Sequence, residues 1–559
     1  GFLPHGFRVL SNPAGGIEPE ILKNLNLVKD DLRLDMDLCA EYKQQGKIEE
    51  LFRHVLIKQC NVLSGILPML FSSDMGYLEL LLPMNLLKGD TVITRLNEIP
   101  EAAFMEDVEI IGWMYQFYIS SKKDVVYASK QTITKDTLPA VTQLFTPDWI
   151  VRYMAQNSVG RLWLESYPDS TLRSEMRYYV EDVPQTAEVQ KKIDEIKYRN
   201  VNPEEIRIIE PCCGSGHILV YVFDLLYKMY EERGYQKRDI PTLILKKNLV
   251  GLDVDKRAAQ LASFSLIMKA RSVNNRFFND QYYETPHVYE LQDSKLLKDL
   301  GYRKKLKDLN LLNDEEIKLI TYLVDTFENG KTIGSLLKVK PIDFACLDGA
   351  LDKISENAVS NVFNVGFLDA GMRRLRELSN LAKILSAKYD VMITNPPYIN
   401  PSSMEAVVKE YAVKNYSDSK SDMFAMFMET DFVKKSGFTS MVNMHSWMFL
   451  ASYEKLRKNI GTARTIVTMA HLGTRAFEAI VGEVVQTTTF ILRNNYIHGF
   501  KGNFSRLIDA STQQAKEKLF LSKNSQYIVE YDVFSKIPGT PIAYWLSDAV
   551  VNNFGPMKT

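Results

Sequence analysis

The sequence predicts an α/β fold, in which a sheet with helices on both faces follows a mainly helical N-terminal region. Three observations predict it. Short apolar runs near residues 206–209, 249–253 and 389–393 are typical of buried strands. A longer segment with apolar residues at helical spacing follows each of the first two runs. Glycines, carboxylates and an amide follow the runs directly, at the strand ends where such sheets bind ligands.

Length and charge limit what the chain is. At 559 residues it exceeds one ordinary core, and we expect a helical region over residues 1–135, the α/β domain over 136–500 and a further region from 501 to 559. The net charge is −1, so the chain lacks an overall basic footprint for nucleic acid. Any positive DNA-binding surface must therefore be local.

The five cysteines form no C-x-x-C pair, which argues against a zinc site, and no other metal site is predicted. An odd, sparse set favours a reducing compartment, and we expect a cytoplasmic protein. No apolar run reaches the roughly 20 residues of a membrane span. The chain starts without methionine or a signal-peptide pattern, which is typical of an internal portion of a longer protein.

Apolar spacing near three and four residues predicts helices over 48–67 and 108–119 in the N-terminal region. A nuclease pattern can be placed on Asp31 or Asp37 with Glu41 and Lys43. A charged helix surface explains the same residues, and we prefer that interpretation.

The α/β domain is expected to begin with a capped helix. Thr146 is a good N-cap residue, and Pro147 suits the first helical position. We expect this helix to run through Val151 towards Leu162.

A strand, a glycine loop and a helix then form the first unit of a nucleotide-binding sheet. The strand at 206–209 leads into Glu210 and a loop with Gly214 and Gly216, which let a ligand approach the backbone. Glu210 can reach a ligand ammonium group. Leu219 stands where a dinucleotide site has its third glycine, which weighs against that class. His217 is expected to pack or to start the helix.

The next two strands supply carboxylates. Asp253 ends the run at 249–253 and is the expected partner of two ribose hydroxyls, while Asp255 caps the following helix. Asp293 ends a third strand at 286–293 and is expected to accept an adenine amine, with Asn329 a weaker candidate. A charged helical insertion is expected at about 295–325.

The fourth strand, 389–393, stops at two successive prolines because proline cannot continue a ladder. The four residues that follow the strand end form a rigid loop with the sequence Asn395, Pro396, Pro397 and Tyr398. The Asn395 oxygen and the Pro396 carbonyl suit the two hydrogens of an exocyclic amine, and the Tyr398 ring gives an extruded base a stacking surface. The arrangement suits methylation of an exocyclic amine such as adenine N6 by positioning and electrostatics, although Asn-Pro-Pro also occurs as an ordinary turn.

Beyond this loop, Ser421 is expected to cap a helix. Further strands are predicted at 437–444, 465–471 and 484–492, the last rich in β-branched residues. The pattern weakens from Asn494 onward, which places a boundary near residue 500.

Together, the Thr-Pro helix start, the glycine loop, the acidic strand end and the Asn-Pro-Pro-Tyr loop resemble the gamma-type, S-adenosylmethionine-dependent DNA adenine-N6 methyltransferases. Three longer stretches look like the PglX family, the methyltransferases of BREX phage-defence systems: residues 143–154, 214–220 and 482–488. Residues 109–113, in the helical region, also look like that family's N-terminal part.

The resemblance implies a Rossmann-like methyltransferase sheet and S-adenosylmethionine as cofactor. It implies that the cofactor is bound by Thr146, Pro147, Glu210, Cys212, Gly214, Gly216, Asp253 and Asp293, and that the target base is received by Asn395, Pro396, Pro397 and Tyr398. Family members usually have aspartate at the position of Glu210, but the carboxylate is kept. As partners it implies double-stranded DNA, other BREX proteins and phage-encoded inhibitors, with residues 501–559 starting a target-recognition region.

Three alternatives stay open on the sequence alone. One is a combined restriction–modification polypeptide, which requires a nuclease domain that we do not find. A methyltransferase-like DNA sensor without turnover is disfavoured by the intact Asn395–Tyr398 loop. A dinucleotide oxidoreductase is disfavoured by the missing third glycine and by the two prolines.

Overall fold

The computed structural model describes residues 6–71, 80–100, 102–103, 110–129, 132–134, 136–142, 145–279, 281–302, 304, 306, 311–358, 365–477 and 485–554. The chain divides into two compact units, residues 1–111 and 112–559, whereas the sequence analysis placed boundaries near 135 and 500. Each unit is described by itself.

The first unit is helical and has its own apolar core, in which Leu22, Leu51, Phe52 and Val55 are fully buried. Its helices span Glu20–Lys23, Leu25–Leu32, Met36–Gln44, Ile48–Ser64 and Val92–Asn97. The nuclease-like residues lie on or beside two of these helices: Asp31, Asp37 and Glu41 are exposed, and Lys43 donates to the Leu22 carbonyl. They are part of a charged helix surface.

The second unit is built on one nine-stranded mixed sheet. Its strands are β1 Ile208–Glu210, β2 Leu249–Asp253, β3 His287–Glu290, β4 Tyr389–Thr394, β5 Val433–Met444, β6 Thr465–Gly473, β7 Thr487–Arg493, β8 Lys501–Arg506 and β9 Gln526–Glu530. The spatial order is β3-β2-β1-β4-β5-β7-β6-β8-β9. The first five strands in this order, from β3 to β5, are parallel to one another. Strand β7 runs antiparallel between β5 and β6.

The parallel strands end at one edge of the sheet. Glu210 in β1 pairs with Gly251 in β2, and Ile209 pairs with Met392 in β4. The residues that follow β1, β2 and β4 are therefore brought together, although β1 and β4 end 184 positions apart in sequence. The predicted α/β class is confirmed.

Helices precede, connect and follow these strands. They span Ile110–Ser129, Leu138–Thr142, Asp148–Ala155, Arg161–Ser166, Leu172–Glu175, Ala187–Ile196, His217–Glu232, Ile240–Lys247, Lys256–Val273, Lys295–Asp299, Asp314–Thr326, Gly330–Ile333, Phe344–Ala358, Val365–Ser386, Ala406–Asn415, Met423–Met428, Glu454–Ala463, Gln513–Ser522, Asp532–Ser535 and Asp548–Asn552. The predicted insertion contains two of them, with residues 303, 305 and 307–310 outside the described part. Within the described residues, no helix is both long and apolar enough to cross a bilayer.

Two predicted helix caps are wrong. The helix after Thr146 begins at Asp148 with Pro147 in the cap position, and no side chain caps it. The Thr146 hydroxyl is engaged elsewhere, by Asn395. Asp422, and not Ser421, caps the helix Met423–Met428, because its carboxylate accepts the Phe424 N–H. The predicted Asp255 cap is confirmed, since its carboxylate accepts the Arg257 N–H.

The helical segment that begins at Asp148 ends at Ser166, a few residues beyond the predicted Leu162. Within it, a π-helical segment, Gln156–Gly160, follows Asp148–Ala155 directly and leads into Arg161–Ser166. Asn157 stabilises this segment by donating to the carbonyls of Tyr153 and Tyr178. The sheet also extends past residue 500, because β8 pairs with β6 and β9 with β8.

Candidate functional site

One cavity lies at the edge where β1, β2 and β4 end, and it encloses about 980 Å³ including its open mouth. Its lining residues come from the loops after those strands and from neighbouring helices, and they include Gly112, Phe145, Thr146, Glu210, Cys212, Gly214, His217, Asp253, Val254, Thr332, Gly334, Ser335, Asn395, Pro397, Met423 and Phe427.

The two glycines of the loop after β1 have different roles. Gly214 has a φ of +52°, and no atom lies within 4 Å of the place where a Cβ would stand. Its face is thus open to a ligand. Gly216 has a φ of +89°, and a Cβ there would lie 2.9 Å from the Cα of Ala262. Gly216 therefore allows the loop to pack against the helix Lys256–Val273.

Asp253, at the end of β2, holds this loop in place. One carboxylate oxygen accepts the Gly214 N–H over 2.8 Å, and the other accepts the Asp255 N–H over 2.8 Å. Burial raises the pKa of Asp253 to about 6, although the backbone N–H groups oppose that shift. Each oxygen retains acceptor capacity for a ligand hydroxyl.

The end of β1 adds a second acid and two thiols. Glu210 is 2% exposed and lines the cavity. Burial raises the pKa of both Cys212 and Cys213, so the thiols stay protonated at neutral pH. Glu210 and Asp253 therefore supply the carboxyl groups of the cavity lining.

A wall of the cavity that sequence analysis missed follows the charged insertion. Thr332 and Ser335 line it, and the Ser335 hydroxyl donates to the Pro211 carbonyl over 2.5 Å. Gly334 has a φ of +71°, and a Cβ there would approach Val254 to 3.2 Å. The positive φ explains why glycine occupies this position, and Asn329 lies just before the wall without lining it.

The helix Ile110–Ser129 closes the cavity from another side. A Cβ on Gly112 would lie 2.7 Å from the Ser215 Oγ, so the helix backbone lies directly on the glycine loop. One turn later, the Tyr115 hydroxyl donates to the Asp255 carboxylate. The Trp113 and Phe145 ring centroids are 4.8 Å apart.

The Asn395 amide is held at both ends. Its Nδ2 donates to the Thr146 Oγ1 over 3.1 Å, and its Oδ1 accepts the Tyr398 hydroxyl proton over 2.8 Å. The Tyr398 hydroxyl also lies 3.2 Å from the Val442 carbonyl oxygen in β5. Burial raises the pKa of Tyr398, so its hydroxyl stays protonated and able to donate.

The loop after β4 is tied to the helix Met423–Met428. Asp422 accepts the Ile399 N–H over 2.8 Å, and the Met423 N–H donates to the Ile399 carbonyl. Asp422 is 5% exposed, and burial raises its pKa to about 7. The ring of Phe424 meets the Tyr398 ring edge-on, with centroids 6.1 Å apart.

Of the residues predicted for the site, seven line the cavity: Thr146, Glu210, Cys212, Gly214, Asp253, Asn395 and Pro397. Five do not: Pro147, Gly216, Asp293, Pro396 and Tyr398. Asp293 is turned to the N-terminus of the helix Lys295–Asp299, where it accepts the Lys295 N–H. Tyr398 is half-buried, and its hydroxyl donates to the Asn395 Oδ1.

The chain is similar to known DNA methyltransferases. Residues 247–477 match the Eco57I restriction-modification methylase family. Adenine-specific methyltransferase BrxX of Escherichia coli O9:H4 (strain HS) is 41% identical over 576 residues, which cover 99% of this chain and 47% of that protein. Adenine-specific methyltransferase PglX of Lacticaseibacillus casei (strain Zhang) is 35% identical over 98% of this chain and 47% of its own length.

Among solved structures, a modification subunit of a putative type I restriction enzyme from Vibrio vulnificus YJ016 aligns at 10% identity. The alignment covers 78% of this chain and 62% of that one, with a TM-score of 0.36, which is too low to bear on function. The chain spans about half the length of the two curated relatives.

Parts of the motifs on which the resemblance was based lie outside the described residues, namely Glu109, Gln143, Leu144 and residues 482–484. The sequence identity extends over nearly the whole chain and does not depend on them. The predicted resemblance is confirmed: this chain is a relative of the PglX and BrxX adenine-specific methyltransferases, to which it is similar over almost its entire length.

Proposed function

We propose that this protein transfers a methyl group from S-adenosylmethionine to the N6 amine of adenine in double-stranded DNA. The observation that carries the proposal is one shared cavity: Gly214 and Asp253 line it from the loops after β1 and β2, and Asn395 lines it from the loop after β4. Residues suited to a nucleoside and a residue suited to an amine therefore meet in one place. The names of the curated relatives agree with this reaction.

The residues present fit S-adenosylmethionine. The open face of Gly214 leaves room for a ligand against the backbone, and the Glu210 carboxylate suits the ammonium group of its methionine part. Asp253 suits the two ribose hydroxyls. When bound, the cofactor supplies an electrophilic methyl group on its sulfonium.

The chain's own residues would activate the amine. Adenine N6 is a poor nucleophile because its lone pair is delocalised into the ring. The Asn395 Oδ1 and the Pro396 carbonyl would accept its two hydrogens and so localise the lone pair on nitrogen. Because N6 is inside a duplex, the base must be extruded, and the Tyr398 ring is our candidate for its stacking partner.

We further propose a role in phage defence, as the self-marking component of a BREX system that acts with other BREX proteins. The resemblance to PglX supports this role, and we propose that the protein acts in the bacterial cytoplasm with DNA as its substrate. Phage-encoded inhibitors would be partners of the same assembly. If the proposal holds, deleting the gene should abolish both the N6 methylation of host DNA and protection from phage.

Methyl transfer tests the proposed reaction directly. The purified protein is mixed with tritium-labelled S-adenosylmethionine and unmethylated double-stranded DNA, at low salt because its charge is near neutral. Asn395→Ala should abolish incorporation, whereas Asn400→Ala, at an exposed position of the same loop, should retain it.

Other outcomes separate the alternatives. Cofactor binding without transfer by the unaltered protein would favour a DNA sensor, and metal-dependent cleavage of the DNA would favour a restriction enzyme. Incorporation by Asn395→Ala at the unaltered rate would remove Asn395 from the reaction.

A further inference from the structure

Thr146 and Asn395 are 249 residues apart in sequence, yet their side chains meet in the cavity. The Asn395 Nδ2 donates to the Thr146 Oγ1 over 3.1 Å. Thr146 is 4% exposed, so water does not compete strongly for this contact. The hydroxyl that local sequence rules assign to a helix cap is instead committed to the amide at the end of β4.

The orientation of that amide decides what Asn395 can do. Its two ends have opposite hydrogen-bonding character, because the oxygen accepts and the nitrogen donates. An amine presents hydrogens, so only the oxygen end can accept them. Rotation of the amide by 180° would direct its NH₂ group at the substrate amine and would lose the interaction.

Thr146 is well placed to fix this orientation. The residue before a proline is restricted to extended backbone, so Pro147 limits how far Thr146 can move. The carbonyl of Pro147 accepts the N–H groups of Ile150 and Val151, which anchors the segment to the helix Asp148–Ala155. The Thr146 hydroxyl oxygen accepts from the NH₂ end of Asn395, and the Tyr398 hydroxyl donates to the oxygen end over 2.8 Å, so the two hydroxyls together define the orientation of the amide.

We propose that Thr146 is a positioning residue for methyl transfer: by accepting from the NH₂ end of Asn395 it keeps the amide oxygen at the opposite end, where the oxygen accepts from Tyr398 and retains a second lone pair for the target amine. The inference rests on the proposed function and deepens it. Thr146 and Asn395 both line the cavity, so the wall of the cofactor site also sets the geometry of the base site. Thr146 itself does not have to touch the base.

The test compares Thr146→Val, which keeps the shape and removes the hydroxyl, with Thr146→Ser, which keeps the hydroxyl. We expect Thr146→Val to lower kcat about 10- to 100-fold, because the amide is no longer held for reaction. The kcat of Thr146→Ser should be at least about a third of that of the unaltered protein, because the hydroxyl is kept. Thr462→Val, at an exposed position near the end of the helix Glu454–Ala463, is the control and should match the unaltered protein.

Two measurements besides turnover distinguish a positioning role of Thr146 from a purely structural one. Although Thr146 lines the cofactor cavity, neither variant adds bulk to that wall, so calorimetric titration with S-adenosylmethionine should give a Kd within about threefold of the unaltered protein for both. Their thermal unfolding midpoints should also agree. The combination of lower kcat, unchanged Kd and rescue by serine is what a positioning hydroxyl predicts.

Three results would overturn the inference: full turnover by Thr146→Val, equal losses in Thr146→Val and Thr146→Ser, or a loss of cofactor affinity as large as the loss of turnover. Failure of the proposed function would look different. In that case the unaltered protein would transfer no methyl group, or Asn395→Ala would transfer it normally.

Discussion

The backbone N–H of Gly214 donates to the Asp253 carboxylate over 2.8 Å, and this bond joins the loop after β1 to the end of β2. The same carboxylate accepts the Asp255 N–H and lines the cavity. Asp253 therefore organises the glycine loop and lines the candidate cofactor cavity at once. Its protonation state should influence both.

Cofactor affinity should accordingly depend on pH. Burial raises the pKa of Asp253 to about 6 in the free protein. Ribose hydroxyls donate to the ionised form, so binding favours loss of the proton. We expect a constant Kd for S-adenosylmethionine above about pH 7, and an affinity that falls up to about tenfold per pH unit below pH 6. Calorimetric titration from pH 5 to 8 measures this.

The variant Asp253→Asn should bind the cofactor more weakly, by about 1–3 kcal/mol, because it replaces an acceptor of both hydroxyls. It should also lose most of the pH dependence. Asp169→Asn, at an exposed position, should behave as the unaltered protein. An affinity that is flat from pH 5 to 8 in the unaltered protein would contradict this role of Asp253.

Gly112 is predicted to be indispensable for closing the cavity. An alanine Cβ there would stand 2.7 Å from Ser215 Oγ and 2.8 Å from its Cβ, so the helix Ile110–Ser129 would have to move off the glycine loop. We expect Gly112→Ala to weaken cofactor binding about tenfold or more, by analogy with the 1–3 kcal/mol cost of overpacking. Equilibrium binding of the cofactor measures the effect.

Gly349→Ala is the matched control for that substitution. Gly349 also lies in a helix, Phe344–Ala358, but no atom lies within 4 Å of its missing Cβ. Alanine there should leave binding unchanged and should slightly stabilise the protein through its higher helix propensity. Equal cofactor affinity in Gly112→Ala and Gly349→Ala would show that the helix is not a wall of the site.

The ring and the hydroxyl of Tyr398 should contribute separately to the rate of methyl transfer. Tyr398→Ala removes the proposed stacking surface, and we expect it to lower methyl transfer far more than cofactor affinity. Tyr398→Phe keeps the ring and removes the hydrogen bond to Asn395, so its loss of turnover should be smaller, about tenfold. Single-turnover rates and cofactor Kd values distinguish the two. Equal losses of transfer and of cofactor affinity in Tyr398→Ala would argue against a contact with the base.

Sequence analysis predicted several residues that line the candidate cavity because the relevant signals are local. Glu210, Asp253 and Asn395 each lie at or just after the end of a short apolar strand, and parallel strands must end at one edge. Gly214 follows the same rule. The pairing of β1 with both β2 and β4 then brings these residues to one cavity, which the strand-end argument had anticipated.

The remaining walls of the cavity depend on contacts that no local pattern encodes. Gly112 meets Ser215 across 103 positions, and Ser335 meets Pro211 across 124. The Thr146 cap prediction is wrong because a tertiary partner, Asn395, took the hydroxyl that a helix start would otherwise use. A tertiary contact of this kind can be predicted from sequence only when the partner residue is known.

Asp422 offers a test of how the loop after β4 is held. Its Oδ1 accepts the N–H groups of Ile399 and Phe424, and an asparagine oxygen can accept the same two bonds. Burial raises the pKa of Asp422 to about 7, against about 3.9 in an unfolded chain. Because the folded pKa is the higher one, the stability from this group is complete below about pH 4 and is lost as the pH rises through 7.

Asp422→Asn should therefore unfold at the same temperature as the unaltered protein near pH 4 and at a higher one near pH 8. The difference at pH 8 is at most about 4 kcal/mol, from roughly three pKa units at 1.36 kcal/mol each. Asp431→Asn, whose side chain is 86% exposed, should follow the unaltered protein at every pH because surface ion pairs contribute little. A variant less stable than the unaltered protein at pH 8 would mean that the ionised carboxylate itself holds the loop in place.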